Sequence, residues 1–156
     1  MKKVLIALDY DPTAQKVAEV GFSLAKAMGA EVFLLHVVSD LNHYNALKHI
    51  TVMGFAGYND TVPLILKGVE ELKNESHKYL NKSKHHLGDK TIQTIVTEGD
   101  LAASILKTAK EVHADIIILG SHSRKWMENI LLGSVAETVL RNTSIPLFII
   151  PTKKRD

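Results

Sequence analysis

The sequence predicts an open α/β fold with a mostly parallel sheet and helices on both of its faces. Short apolar runs without polar alternation recur along the chain, and strands of this kind are usually buried on both faces of a parallel sheet. Segments with helical spacing of apolar residues separate these runs. The resulting order, βαβαβαβαβ, is the alternation that places a parallel sheet between two layers of helices.

Size and composition fit one globular domain. A chain of 156 residues is long enough to bury about two-thirds of the surface that it exposes when unfolded. Its 46% hydrophobic and 23% charged residues are ordinary for a globular protein, so disorder is not indicated. The chain has no cysteine, which excludes disulfides, thiol catalysis and cysteine-ligated zinc.

The net charge and the lengths of the apolar runs limit which partners and which cellular location are expected. The net charge is +2, and the only dense basic run is residues 153–155 near the end of the chain, so neither nucleic acid nor a membrane is expected as a partner. No apolar run approaches the ~20 residues needed to cross a bilayer, and the N-terminal run is too short for a signal-peptide core. A cytoplasmic location is therefore expected.

A first βαβ unit is predicted in residues 4–38. Val4–Leu8 is a buried strand, and the next helix is expected to start with Asp11 as its cap and Pro12 in its first position. Gly29 ends that helix, and Glu31–Val38 forms the second strand. The crossover between the two strands should be right-handed.

The middle of the chain combines an irregular segment with the longest helix. Residues 39–61 fit no regular element and are expected to form a flexible insert, with or without a helical turn. A helix is predicted from Thr61 to Leu87, ended by Gly88. Thr91–Val96 is the third strand, and His36, inside the second strand, is expected to be a buried histidine with its hydrogen bonds satisfied.

The last third contains the segment that indicates a ligand site. Asp100 caps the third predicted helix, and the apolar strand Ile116–Leu119 then runs into Gly120. A second turn at Gly133 opens the last helix, where Ser134 and Glu137 fit an S-x-x-E capping box. The last predicted strand is residues 145–150.

A strand end and a helix start therefore face each other across one loop. In open α/β sheets such a crevice is where ligands bind, and the unpaired N–H groups of a helix start favour anions such as phosphate. The residues alone leave a simpler alternative open, in which Ser134 is only an N-cap and Gly120 and Gly133 only form turns.

The spacing from Gly120 through Ser123 to Gly133 and Ser134, G-x-x-S-x9-G-S, resembles the nucleotide-binding signature of the universal stress protein family, G-x-x-G-x9-G-[ST]. Ser123 replaces the second glycine, and its hydroxyl can take the place of a backbone contact. The flanking words GSHS, LLGSVAETVLR and SIPLFIIP also resemble that family, and the likeness extends over nearly the whole chain.

This resemblance implies a fold and a function. The fold would be one universal stress protein domain over residues 1–156, a Rossmann-like adenine nucleotide-binding fold with strand order 3-2-1-4-5. The function would be that of a cytoplasmic, homodimeric stress-response protein paired through its last strands. It would bind ATP, AMP or ADP, with or without magnesium, and report to a protein partner whose identity the sequence does not give.

The resemblance also implies a set of nucleotide contacts. The adenosine end would lie against Ala7, Asp9 and the backbone of Val37, although Asp9 could equally cap a nearby turn. No catalytic residue and no metal ligand is implied. The phosphates would rest on Gly120, Ser121, His122, Ser123, Arg124, Gly133, Ser134 and Val135.

The sequence favours binding over fast turnover. Signatures of P-loop NTPases, dinucleotide dehydrogenases and α/β-hydrolases are absent from it. The implied contacts are mostly backbone groups, which hold a phosphate without activating an attacking water. Two alternatives remain at this point: a nucleotide-free dimeric scaffold, and a slow ATPase.

Overall fold

The structure is a computed structural model that describes residues 1–39, 61–121 and 132–152. It contains a five-stranded parallel sheet with strand order β3-β2-β1-β4-β5, which confirms the predicted fold. The elements follow one another as β1 (Lys3–Ala7), α1 (Ala14–Ala27), β2 (Glu31–Val38), α2 (Thr61–Leu87), β3 (Gln93–Glu98), α3 (Leu101–Glu111), β4 (Ile116–Gly120), α4 (Ser134–Asn142) and β5 (Leu147–Ile150).

The sheet has an apolar core on each face. Neighbouring residues of β1 point to opposite faces, and both Leu5 and Ile6 are fully buried. On one face, Ile6 packs in a cluster with residues of α1 and α2, including Val17 and Leu80. On the other face, Leu5 packs with residues of α3 and α4. Burial on both sides is the physical reason that the strands lack polar alternation.

The first helix starts later than predicted. The Asp11 carboxylate accepts hydrogen bonds from the N–H and the hydroxyl of Thr13, at 2.9 and 2.7 Å, while the carbonyl of Asp11 accepts from the N–H of Ala14. These bonds close a turn that contains Pro12, so α1 begins only at Ala14. The prediction that Asp11 caps the helix and that Pro12 is its first residue is therefore wrong.

Hydrogen bonds from local side chains also accompany a later start of two strands than the sequence predicts. The Asp89 carboxylate accepts from the N–H and hydroxyl of Thr91, which holds a turn, and β3 therefore begins at Gln93 rather than Thr91. The Thr143 hydroxyl likewise accepts from the N–H of Ile145 at 2.9 Å, so β5 begins only after Pro146. Competition of this kind between side chains and sheet is typical of Asp and Thr.

Other boundaries agree with the predictions. Gly29, which follows the C-cap residue Met28 of α1, has a φ angle of 61°, and Gly88, directly after α2, has a φ angle of 73°, as expected of glycines that end helices. The predicted insert at about 39–61 lies almost entirely outside the described residues. Within the described ranges, no helix is long and apolar enough to cross a membrane.

Candidate functional site

A crevice opens at the carboxyl ends of β1 and β4, the adjacent strands between which the strand order changes direction. Helices α1 and α2 pack on one face and α3 and α4 on the other, so the helices that follow β1 and β4 in the chain lie on opposite faces and leave a gap between the two strand ends. The gap measures about 630 Å³, including space open to solvent. It is lined by Ala7, Leu8, Asp9, Ala14, Val17, Leu35, Val37, Leu101, Ile105, Leu119, Gly120, Ser121, Gly133, Val135, Ala136 and Thr152.

Seven of the eleven predicted site residues line this crevice together, drawn from β1, β2, β4 and the start of α4. Ala7, Asp9 and Val37 lie at the ends of adjacent strands. Val37 is buried beside Leu35 in the core of the second face, so this side of the crevice is apolar. A wall of this kind suits a flat, weakly polar group.

Asp9 caps a turn, which is one of the two roles that the sequence left as alternatives, and it also lies at the crevice. Its carboxylate accepts a hydrogen bond from the N–H of Asp11 at 3.0 Å, so it does cap the turn before α1. The residue nevertheless lines the crevice. A carboxylate placed there can accept hydrogen bonds from hydroxyl or amino groups of a ligand.

Gly120 and Ser121 make packing contacts and hydrogen bonds within the protein. A Cβ atom on Gly120 would lie 2.9 Å from Thr152 Cγ2 and 3.0 Å from Val17 Cγ2, so only glycine fits without a shift. The N–H of Ser121 donates to the carbonyl of Ile150 at 2.9 Å, and its hydroxyl oxygen accepts from the N–H of Thr152 at 2.9 Å. These two residues therefore form the floor of the crevice.

The start of α4 differs from the predicted capping box. Gly133 is the N-cap residue, and no side chain among the described residues caps this helix. Ser134 is the first helical residue, while the Glu137 carboxylate accepts from the Arg141 guanidinium at 2.7 Å. The capping-box prediction is therefore wrong, because Ser134 lies one position too far along the chain to cap.

This arrangement leaves the helix start turned toward the crevice. The first N–H donor within α4 is that of Glu137, which donates to the carbonyl of Gly133, so the N–H groups of the three preceding residues make no intrahelical bond. Val135 and Ala136 line the crevice. Ser134 lies on an adjoining groove with Asp100 and Thr138. Such a helix end is a favourable position for an anion.

The N–H of Gly133 is engaged elsewhere, because it donates to the carbonyl of Ser121 at 2.6 Å. This bond joins Ser121 to Gly133, the residues on either side of segment 122–132. The remaining predicted contacts, His122, Ser123 and Arg124, lie outside the described residues.

Sequence reasoning missed the contributions of α1, α3 and the segment after β5. The cap at Asp100 places the start of α3 at the same edge of the sheet, and this signal could have indicated Leu101 and Ile105 as lining residues. Thr152 belongs to no sequence motif, so no pattern in the sequence indicates it as a lining residue. Its hydroxyl lies 3.2 Å from that of Ser121, a contact that only the pairing of β4 with β5 creates.

Side chains from α2 and β2 hold the loop that carries Asp9. The Tyr79 hydroxyl donates to the carbonyl of Asp9 at 2.6 Å, and His36 Nδ1 lies 2.7 Å from the carbonyl of Leu8. A carbonyl oxygen only accepts, so Nδ1 carries the proton. The prediction that His36 is buried and hydrogen-bonded is confirmed. Burial, followed by the negative charge of Asp9, raises the pKa of Tyr79 to about 12, so its hydroxyl remains a donor at neutral pH.

Nothing in the described ranges brings together three or more His, Asp or Glu side chains that could hold a metal ion. Among the described residues, the polar side chains that line the crevice are those of Asp9, Ser121 and Thr152. The hydroxyls of Ser121 and Thr152 lie 3.2 Å apart, so the carboxylate of Asp9 and backbone N–H groups are the main polar groups for a ligand. This set of groups suits an organic ligand that carries a phosphate.

The fold and the crevice define a doubly wound α/β protein with an open crevice at the switch point of its sheet, the position where ligands bind in folds of this class. The model of the universal stress protein family matches residues 1–151, and the chain belongs to that family.

Individual relatives agree with this assignment. A universal stress protein of Methanocaldococcus jannaschii is 31% identical, with 97% of this chain and 96% of the relative covered. The solved structure of that protein superposes with a TM-score of 0.74 at 26% identity, covering 99% and 98% of the two chains.

Two further solved structures contain nucleotides and show the same fold. One is a universal stress protein in complex with cAMP, 17% identical with a TM-score of 0.60 and coverage of 97% and 98%. The other, from Archaeoglobus fulgidus in complex with dAMP, is 18% identical with a TM-score of 0.59 and coverage of 96% and 98%.

Proposed function

We propose that this universal stress protein binds ATP, AMP or ADP in the crevice and acts as a homodimeric regulatory protein of the cytoplasm rather than as a fast enzyme. The observation that carries the proposal is the start of α4, whose first N–H groups adjoin a crevice with an apolar wall. The cAMP and dAMP complexes of its structural neighbours support an adenine nucleotide as the ligand.

The proposed pose follows the chemistry of the two ends of the crevice. The adenosine group lies against Ala7, Asp9 and Val37, where the wall is apolar and one carboxylate can accept hydrogen bonds. The phosphates lie at the N–H groups of Ser134 and Val135. Gly120, Ser121 and Gly133 shape the floor, since the N–H groups of Ser121 and Gly133 already donate within the protein.

The segment from His122 to Arg124 completes the phosphate side in this proposal. A magnesium ion, where one is present, would be coordinated by the phosphates of the nucleotide. Backbone N–H groups bind the ground state of a phosphate without supplying a base for an attacking water. The proposed role is therefore binding, with the nucleotide as a signal that is read by a protein partner.

The proposal is tested by placing a negative charge at the phosphate position. Gly133 has φ −65° and ψ 156°, a conformation that any residue adopts, so Gly133→Asp should fold and even cap α4. We expect ATP affinity, measured by isothermal titration calorimetry, to fall at least about tenfold because of repulsion between like charges. Undiminished ATP binding by Gly133→Asp contradicts the site assignment.

Gly133→Asn is the matched control. Asparagine has the same shape as aspartate and caps helices equally well, but it carries no charge. Its ATP affinity should stay within about threefold of the wild-type value. A tenfold loss in the asparagine variant would mean that the side chain blocks the site by its size.

A second candidate function, a nucleotide-free dimeric scaffold, is favoured by one observation. Two of the N–H groups predicted to hold phosphate, those of Ser121 and Gly133, donate to carbonyls of the protein instead. Native mass spectrometry of the purified protein separates the two functions. ATP or AMP that co-purifies with the protein excludes the scaffold, and the same spectrum gives the number of subunits.

A further inference from the structure

Three aromatic side chains form a cluster behind the loop that carries Asp9. Tyr10 follows Asp9 in the chain, His36 comes from β2 and Tyr79 from α2. The ring centroids of Tyr10 and His36 are 4.3 Å apart, and those of Tyr10 and Tyr79 are 4.9 Å apart. The cluster lies on the α1 and α2 face of the sheet, where Tyr79 packs against the apolar core.

Two hydrogen bonds from this cluster fix the backbone on both sides of Asp9. The carbonyl of Leu8 belongs to the peptide plane before the Cα atom of Asp9, and His36 holds it at 2.7 Å. The carbonyl of Asp9 belongs to the following plane, and Tyr79 holds it at 2.6 Å. The φ and ψ angles of Asp9 lie between these planes, so holding both planes sets the direction of its Cα–Cβ bond, and the 3.0 Å hydrogen bond from the N–H of Asp11 to the carboxylate then restricts rotation about χ1.

We propose that Tyr79 is a positioning residue for the nucleotide site, because its hydroxyl sets the direction in which the Asp9 carboxylate enters the crevice. The inference rests on the proposed function, in which Asp9 contacts the adenosine group. Tyr79 itself touches no ligand. It acts from the face of the sheet that carries α1 and α2, whereas Val37 lines the crevice from the other face, and α2 thereby supports the site.

Tyr10 provides a matched comparison within the same cluster. Its hydroxyl forms a hydrogen bond of similar length, 2.8 Å, but the partner is the hydroxyl of Ser76 on α2 rather than the main chain beside Asp9. Removing either hydroxyl changes the cluster by one oxygen atom. Only the change at Tyr79 frees the peptide plane that follows Asp9.

The test compares Tyr79→Phe with Tyr10→Phe by calorimetric titration with ATP. Loss of one hydrogen bond that orients a ligand contact should weaken ATP binding about three- to tenfold in Tyr79→Phe. Tyr10→Phe should stay within about twofold of the wild-type affinity. Circular dichroism should show both variants folded at the assay temperature.

A double-mutant cycle shows whether Tyr79 acts through Asp9. In an Asp9→Ala background there is no carboxylate to position, so adding Tyr79→Phe should no longer change ATP affinity. An equal loss in that background overturns the inference, as does an equal loss in the two tyrosine variants. An unfolded Tyr79→Phe protein overturns it too, because the hydroxyl then supports the fold as a whole.

The outcomes separate this inference from the proposed function. Wild-type protein that binds no ATP removes both of them. Wild-type protein that binds ATP, together with a Tyr79→Phe variant of equal affinity, removes only the positioning role.

Discussion

At the scale of single residues, Gly29 and Gly120 must both be glycine, but for different physical reasons. Gly29 has a φ of 61°, and apart from its chain neighbours no described atom lies within 4 Å of the position that a Cβ would take, so its requirement is the backbone angle that ends α1. At Gly120 the requirement is space, since the methyl groups of Val17 and Thr152 crowd the corresponding position. The floor of the crevice is thus set by packing between β4, α1 and the segment after β5.

Gly120→Ala should therefore destabilise the protein by about 1–3 kcal/mol, the usual cost of overpacking a dense core. The free energy of unfolding from urea titrations measures this. Thr152→Ser removes the methyl group that is 2.9 Å away and keeps the hydroxyl that faces Ser121. Adding Thr152→Ser to Gly120→Ala should recover part of the loss, and a purely additive double variant would contradict the steric explanation.

At the scale of elements, the two helices on the crevice side begin differently. The Asp100 carboxylate accepts from the N–H of Ala103 at 2.9 Å and caps α3. Helix α4 has Gly133 as its N-cap residue and no side-chain cap among the described residues. A cap satisfies the N–H groups that a ligand would otherwise use. The uncapped helix is the one that the proposed function assigns to the phosphates.

The contrast between the two helices predicts that alanine substitutions at Asp100 and at Ser134 change the free energy of unfolding by different amounts. Asp100→Ala should lower the free energy of unfolding by about 1 kcal/mol, the typical contribution of an N-cap. Ser134→Ala should change it by less than about 0.5 kcal/mol, because Ser134 is not a cap. Thermal or urea unfolding of the two variants measures both effects. A loss of about 1 kcal/mol in Ser134→Ala would support the capping box that the structure contradicts.

At the scale of the whole molecule, β5 is an edge strand with an apolar surface. Among the described strands β4 alone pairs with it, and Phe148 is 48% exposed. An apolar edge of this kind is a template for pairing with another chain. The proposed homodimer covers it by strand-to-strand contact.

Phe148→Lys should weaken the dimer at least about tenfold, since the change places a charge in an apolar interface. Sedimentation velocity over a concentration series measures the association. Met28→Lys is the control, because Met28 is similarly exposed but directly precedes the turn into β2, on the opposite side of β1 from β5. Unchanged association of Phe148→Lys would place the interface elsewhere.

For the part of the chain that the structure describes, the sequence alone determined the order and type of the elements, because strands that are buried on both faces consist of uninterrupted apolar runs such as Ile116–Leu119. It also determined the end of α1 at Gly29, where a local backbone requirement decides. The strand order and the family came from resemblance, through the spacing of Gly120, Gly133 and Ser134.

Only the tertiary structure decided how each group at the crevice is used. The N–H of Gly133 donates to Ser121, Gly120 serves packing, and Asp9 is held by Tyr79 from 70 positions away in the chain. Local patterns report what one segment prefers, whereas the partner of a buried polar group depends on which other segments reach it. For that reason the sequence located the crevice but did not identify the hydrogen bonds that position its residues.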